Sequence, residues 1–465
     1  MSMDDLESLG ITELNQAYAA GATRPTEVVA HSLARIEKLE PQLGAFELVM
    51  TDQVMEAAEA ATRAIQSGHR IGPFHGVPFV LKDLIHVQGT ITTGGANPYA
   101  ERVSTETAPI ARRLIASGGL LLGKTKTVEV AYGPWGTNTQ RGTPWNPWDT
   151  GTHRAPGGSS SGTGVSVAAR LAVCGVGTDT GGSVRIPSAF CGLVGLKVTE
   201  GRLPLEGIQP LSHTLDTPGP MCRSATDAAI MYQTMAGQEP HEIDTDLSSE
   251  VGIFREMKRG VDGLVIGVLT GQDREIVDVA ILDLYDSAIE RLAKLGAVIK
   301  PLTLPRSVDD MRFGVATIIA VEGYYYHGNM YENPVNAMDE DVKARIMRGK
   351  TEPSTNYVRA LRQRLADRKD FHKVMDGMAA LVTPTLPIAA PAVDEIDQTS
   401  APSQFTRMVN HLGFCALSTP MGLTDSGLPG GLHIVGCGGQ EIMTLRIGAA
   451  FERDFGDIGR PPGWD

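Results

Sequence analysis

Apolar positions along the chain switch between a helical period and short unbroken runs. The first seventy residues carry helical spacing. Thr12 stands as an N-cap before Glu13–Tyr18, Arg24-Pro25-Thr26 opens a run from Glu27 to Leu39, and a third run from Ala45 to Ile65 stops at Ser67-Gly68. Val77-Pro78-Phe79-Val80-Leu81 is then continuous and apolar, the pattern of a buried strand, and it ends at Lys82-Asp83. Ala108 to Ser117 is amphipathic, Leu120-Leu121-Leu122 reads as a strand, and 132–158 is a loop punctuated by Pro134, Pro144, Pro147 and Pro156. A small-residue helix is expected over Gly164–Cys174. Strands at Leu264–Val268 and from Val298 bracket a helix over Val277–Leu295, and 318–370 is polar and helical. Ala380–Thr385 and Gly431–Val435 read as two more strands. The alternation predicts an α/β chain with a buried sheet, one large domain whose only polar break is 236–262.

Composition narrows the function more than the fold. The net charge of −13 opposes the phosphate contacts of nucleic-acid binding and the surface of an anionic membrane. No run approaches the roughly 18 uncharged apolar residues of a spanning helix. The opening MSMDDLESLG bears acids where a secretory signal bears basic residues. Cys174, Cys191, Cys222, Cys415 and Cys437 are odd in number and widely spaced, which fits a reducing, cytoplasmic location. The histidines show no metal-ligand spacing, so neither a metal nor a cofactor is expected.

Glycine changes the picture. The chain has 53, against about 33 at the usual ~7%, and eleven fall between Gly157 and Gly201. Two motif matches near this region fail on context. Gly118–Thr125 spells a phosphate loop, but a helix precedes it and three leucines fill it, which suits a strand. Gly158-Ser159-Ser160-Ser161-Gly162 spells a nucleophile elbow, but the residues before it form a loop rather than a strand.

Gly181-Gly182-Ser183 is more promising. Glycines let successive N–H groups converge on one point, so Ser183 is placed as a nucleophile with the amides of Thr180, Gly181, Gly182 and Ser183 around the developing oxyanion; a tight structural turn is the alternative. A serine needs a base. Lys82, at the end of an apolar run, loses its proton readily if buried. The cluster Ser159-Ser160-Ser161 can relay a proton or cap a helix.

These residues resemble the amidase signature family. Gly157-Gly158-Ser159-Ser160-Ser161-Gly162 looks like its serine-glycine motif, and Gly177–Pro187 like its G-T-D-x-G-G-S-[IV]-R-x-P segment. The two serines lie 24 residues apart, and Gly76–Asp83 resembles the lysine strand. The resemblance implies a central mixed β-sheet covered on both faces by helices. Within it, 1–70 would supply N-terminal helices, 71–235 the catalytic core, and 236–465 the remaining sheet and pocket helices. It also implies a Ser-Ser-Lys triad of Ser183 as nucleophile, Ser159 as bridge and Lys82 as base, with a cis peptide between Gly158 and Ser159.

The expected activity is hydrolysis of a non-peptide C–N bond in a small amide or carbamate, as in a urethanase. A homodimer is left open. Tyr132, Trp135, Tyr324 and Tyr326 are the candidates for the pocket wall, with core packing or an outward helix face as alternatives. The glutaminase component of a tRNA-dependent amidotransferase fits less well. Ala401-Pro402-Ser403-Gln404 stands where such subunits carry the acid that grips the glutamine amino group. A non-catalytic binding subunit is the third reading.

Overall fold

The computed structural model describes residues 3–239 and 252–464. Its described part is built on one sheet of eleven strands. These are β1 (Phe46–Val49), β2 (Pro78–Lys82), β3 (Leu120–Thr125), β4 (Cys174–Asp179), β5 (Val194–Lys197), β6 (Thr217–Cys222), β7 (Val265–Leu269), β8 (Val298–Leu302), β9 (Ala380–Pro384), β10 (Cys415–Leu423) and β11 (Pro429–Gly436). Their spatial order is β1-β3-β2-β4-β6-β5-β10-β11-β9-β7-β8. The pairs β2/β3, β2/β4, β7/β8 and β7/β9 are parallel and the rest antiparallel, so the sheet is mixed.

Alternate residues of one strand serve different cores, because side chains leave a strand on opposite faces. Phe79 and Leu81 join the larger hydrophobic cluster, with Val176 and Phe405, whereas Val80 joins a second, with Leu120, Leu122 and Val165. Both faces are therefore covered, which is why β2 reads as unbroken apolar sequence. No helix among the described residues is long and apolar enough to cross a membrane.

Three local expectations are corrected. Residues 46–49 form an edge strand on β3 rather than the start of a helix, which begins only at Thr51. The apolar positions Phe46, Leu48 and Val49 fix neither period, and pairing with a distant strand decides. The helix before β4 covers Ser161–Ala168 rather than Gly164–Cys174, and Cys174 already belongs to the strand. Glycine is needed there by close approach: a Cβ on Gly175 would stand 2.6 Å from Thr163, and one on Gly177 2.7 Å from Ser160. The first of the N-terminal helices expected from the pattern starts at Ile11 after Gly10, so Thr12 is inside it.

The polar stretch 318–370 divides among helices Val308–Glu332, Glu340–Thr351 and Ser354–Val374. Of the polar break 236–262, residues 240–251 lie outside the described residues. The spurious phosphate loop is strand β3, and Lys124 is buried against Asp83 at 2.6 Å.

Candidate active site

Strand β2 carries Lys82 to its C-terminal end, where the side chain is wholly buried. Its Nζ donates to Ser159 Oγ at 2.7 Å and to Thr178 Oγ1, on β4, at 2.8 Å. Burial lowers the ammonium pKa to about 7, against the upward pull of Asp216 and then Asp179.

Ser159 lies in the turn before the helix Ser161–Ala168. Its carbonyl accepts from Thr127 Oγ1 at 2.9 Å and Val128 N at 3.2 Å, and the Gly158–Ser159 peptide is cis. Ser160 stands at the N-cap position but caps nothing with its side chain. Its N–H and hydroxyl both reach Ser183 O, at 3.3 and 2.5 Å, and so hold the two serine segments together.

Asp179, at the end of β4, organises the glycine segment. One carboxylate oxygen accepts from Gly182 N at 2.8 Å and from Asn410 Nδ2 at 2.9 Å, and the other accepts from Val184 N at 3.2 Å. Arg185 reaches both oxygens at 2.9 Å and donates onward to His433 Nε2 and Asn410 Oδ1. Burial raises the Asp179 pKa, but the Arg185 charge outweighs it and holds the carboxyl well below the usual carboxylate range. Gly182 has φ +128°, and a Cβ there would collide with the Thr406 side chain, so no other residue fits.

This arrangement alters the expected oxyanion site. The Gly182 N–H is occupied by Asp179, whereas those of Thr180, Gly181 and Ser183 donate to no protein acceptor among the described residues. Thr180 is further fixed through its hydroxyl, which donates to Asp216 Oδ1 at 2.5 Å.

Ser183 opens into a cavity of about 160 Å³, with Thr180 and Gly181 beside it. Lys82 and Ser159 are sealed behind. Of the four aromatic candidates, Tyr132 lines this cavity. Trp135 packs on Ile186 behind the wall and donates to Ser400 O at 3.2 Å. Tyr324 and Tyr326 do not reach it: their hydroxyls meet Glu332 and His213 instead. Helix geometry gives the reason. Arg312, Ala316 and Ile319 share the cavity-facing stripe of their helix, whereas Tyr324 points to another side of it and Tyr326, near that stripe in angle, stands about two turns beyond Ile319 along the axis.

Sequence reading missed Thr178, Asp216, Thr406, Arg407 and Asn410. Thr178 sits inside a recognised motif, where its hydroxyl beside a buried lysine was a usable signal. The others lie 30 to 230 residues away and have no local signature.

The profile described as amidase matches residues 27–445. The chain belongs to the amidase family, enzymes that hydrolyse C–N bonds. It is 33% identical to a component of the glutamyl-tRNA(Gln) amidotransferase of Anaeromyxobacter dehalogenans (strain 2CP-C), over 98% of each chain. It is also 33% identical to the 2-amino-5-chloromuconic acid deaminase of Comamonas testosteroni, over 90% of each. The solved structure of the native peptide amidase from Stenotrophomonas maltophilia superimposes with a TM-score of 0.84 at 26% identity, covering 98% of this chain and 99% of that one.

Proposed function

We propose that this enzyme hydrolyses a non-peptide C–N bond of a small amide or carbamate through an acyl-enzyme on Ser183, without a partner subunit. The contact that carries this reading is Lys82 Nζ to Ser159 Oγ at 2.7 Å, sealed behind Ser183. A neutral amine keeps one N–H on Thr178 and turns its lone pair to the Ser159 hydroxyl. Ser159 gives its proton to Lys82 as it takes one from Ser183, whose oxygen adds to the substrate carbonyl. The N–H groups of Thr180, Gly181 and Ser183 hold the oxyanion. The proton returns through Ser159 to the departing nitrogen as the C–N bond breaks. Water then attacks the ester by the same relay, releasing the acid and restoring Ser183.

The test is release of ammonia or amine from small amides and carbamates without ATP or partner, with Ser183→Ala as control. No release from any of them overturns the proposal. The protonation state of Lys82 sets the pH dependence. The ammonium form cannot accept a proton, so kcat/KM should climb with pH through about 7 and level off above it. A profile flat from pH 6 to 8 would dismiss lysine as the base.

The glutaminase reading draws support from the likeness to amidotransferase components. The cavity speaks against it, since its described lining contains no carboxylate to meet an α-ammonium group. Glutamine hydrolysis that appears only with added partner proteins would favour that reading instead.

A further inference from the structure

The chain carries a net charge of −13, yet the cavity at Ser183 is lined by Arg312, Arg345, Arg348 and Arg407 and by no acid among the described residues. Two of the four have their charge answered. Arg312 Nε donates to Asp309 at 3.1 Å, and Arg348 Nε to Glu352 at 3.4 Å. Arg345 is held only by neutral oxygens, Tyr132 O at 2.9 Å and Gln398 O and Oε1 at 2.8 Å, which position its guanidinium without neutralising it. Arg407 is left without a carboxylate, and its Nε is buried with no hydrogen-bond partner.

The location of Arg407 is fixed by the helix Gln404–Leu412. Thr406 Oγ1 donates to Gly181 O at 2.9 Å and Asn410 holds Asp179, so the helix is tied to the oxyanion segment on both sides of Arg407. The Arg407 side chain crosses Gly181: a Cβ on that glycine would stand 3.4 Å from its Cγ and 3.5 Å from its Nε. A buried donor without an acceptor is costly, and like charges held together repel. Burial lowers the Arg407 pKa to about 10, and the neighbouring arginines push the same way, which still leaves a cation at neutral pH. A bound anion relieves both penalties.

We propose that the substrate is a short amide bearing a carboxylate a few bonds from the scissile C–N bond, seated on Arg407 and Arg345, and lacking an ammonium group. The proposal rests on the hydrolase reading above and names its substrate class. Arginine is suited to the task because its planar fork pairs with both oxygens of a carboxylate. The cavity of about 160 Å³ leaves room for a short chain between Ser183 and the arginines. Hydrolysis of such an amic acid consumes one water and yields a dicarboxylate and ammonia. If the carboxylate belongs to the leaving group, the products are a simple acid and an amino acid.

The two placements of the carboxylate are separated by substrate pairs. Monoamides of three-, four- and five-carbon dicarboxylic acids carry it on the acyl side, and N-acetylglycine carries it on the leaving side. Each is compared with its neutral isostere, in which an isopropyl group replaces the carboxylate. The wild-type enzyme should favour at least one acid over its isostere by roughly 100-fold or more in kcat/KM. Arg407→Leu should collapse that ratio, chiefly through KM, and Arg407→Lys should recover part of it. Should the leucine variant fail to fold, competitive inhibition of the wild-type enzyme by short dicarboxylates, and not by their diamides, is the independent readout.

Neutral isosteres turned over as well as the acids would overturn this assignment while leaving Ser183-dependent hydrolysis standing. A ratio unmoved by Arg407→Leu would do the same. No turnover of any amide, together with acid binding to Ser183→Ala protein in calorimetry, would instead remove the hydrolase reading and keep the anion site.

Discussion

Ser183→Ala and Lys82→Met should each abolish turnover, by about 10⁴-fold or more, with little change in substrate affinity. In the proposed mechanism the first removes the atom that bonds to the acyl group. The second keeps most of the buried stem, which is wholly enclosed, but removes the proton acceptor behind Ser159. Because the groups act as one relay, the double variant should be scarcely worse than either single one. Single-turnover kinetics on the best amide, with thermal unfolding as a folding check, measures this. Additive losses would mean that Lys82 and Ser183 act independently, contrary to the relay. The lysine variant should also lose the rise in activity through pH 7, since no other group in that relay titrates there.

The largest loss of stability is expected for Asp179→Ala. It removes the acceptor for Gly182 N, Val184 N and Asn410 and strands Arg185, a fully buried guanidinium. Breaking a buried ion pair by deleting one partner costs about 3–5 kcal/mol. Urea denaturation should therefore show a much lower midpoint, and activity should vanish even where the protein remains folded, because the glycine segment loses its anchor. Asp179→Ala with Arg185→Met should regain stability without regaining activity, as the stranded charge goes but the anchor does not return.

The same pair makes an acid-labile element. Asp179 has its carboxyl held below the usual range, so its contribution is complete above the unfolded value of about 3.9 and is lost as pH falls from there toward the folded pKa. Full stability of Asp179→Ala would show that the pair contributes nothing net.

Much of this site was legible in the chain because its chemistry is local. Gly181 and Gly182 sit beside Ser183, the serine cluster lies 24 residues earlier, and Lys82 ends an unmistakably apolar run. A five-residue strand buried on both faces delivers its last side chain into the interior, so burial and the lowered lysine pKa follow from the run itself. The α/β class followed for the same reason: period and length separate buried strands from amphipathic helices. The edge strand Phe46–Val49 and the strands β5, β6 and β10 were not read, since their identity depends on partners far along the chain.

What the sequence determined alone is the α/β class and, through its match to a known family, the set of residues proposed here to carry out acyl transfer. Only the tertiary structure decided which N–H groups stay free for an oxyanion, because Asp179 claims Gly182 through a hydrogen bond that local spacing does not specify. It alone turned Tyr324 and Tyr326 away and brought Arg312, Arg345, Arg348 and Arg407 to the cavity. Those arginines come from three helices, of which Glu340–Thr351 and Gln404–Leu412 both pack on Val308–Glu332. Side chains spread over 95 residues acquire a common field only when packing removes water from between them, and no reading of neighbours along the chain contains that distance.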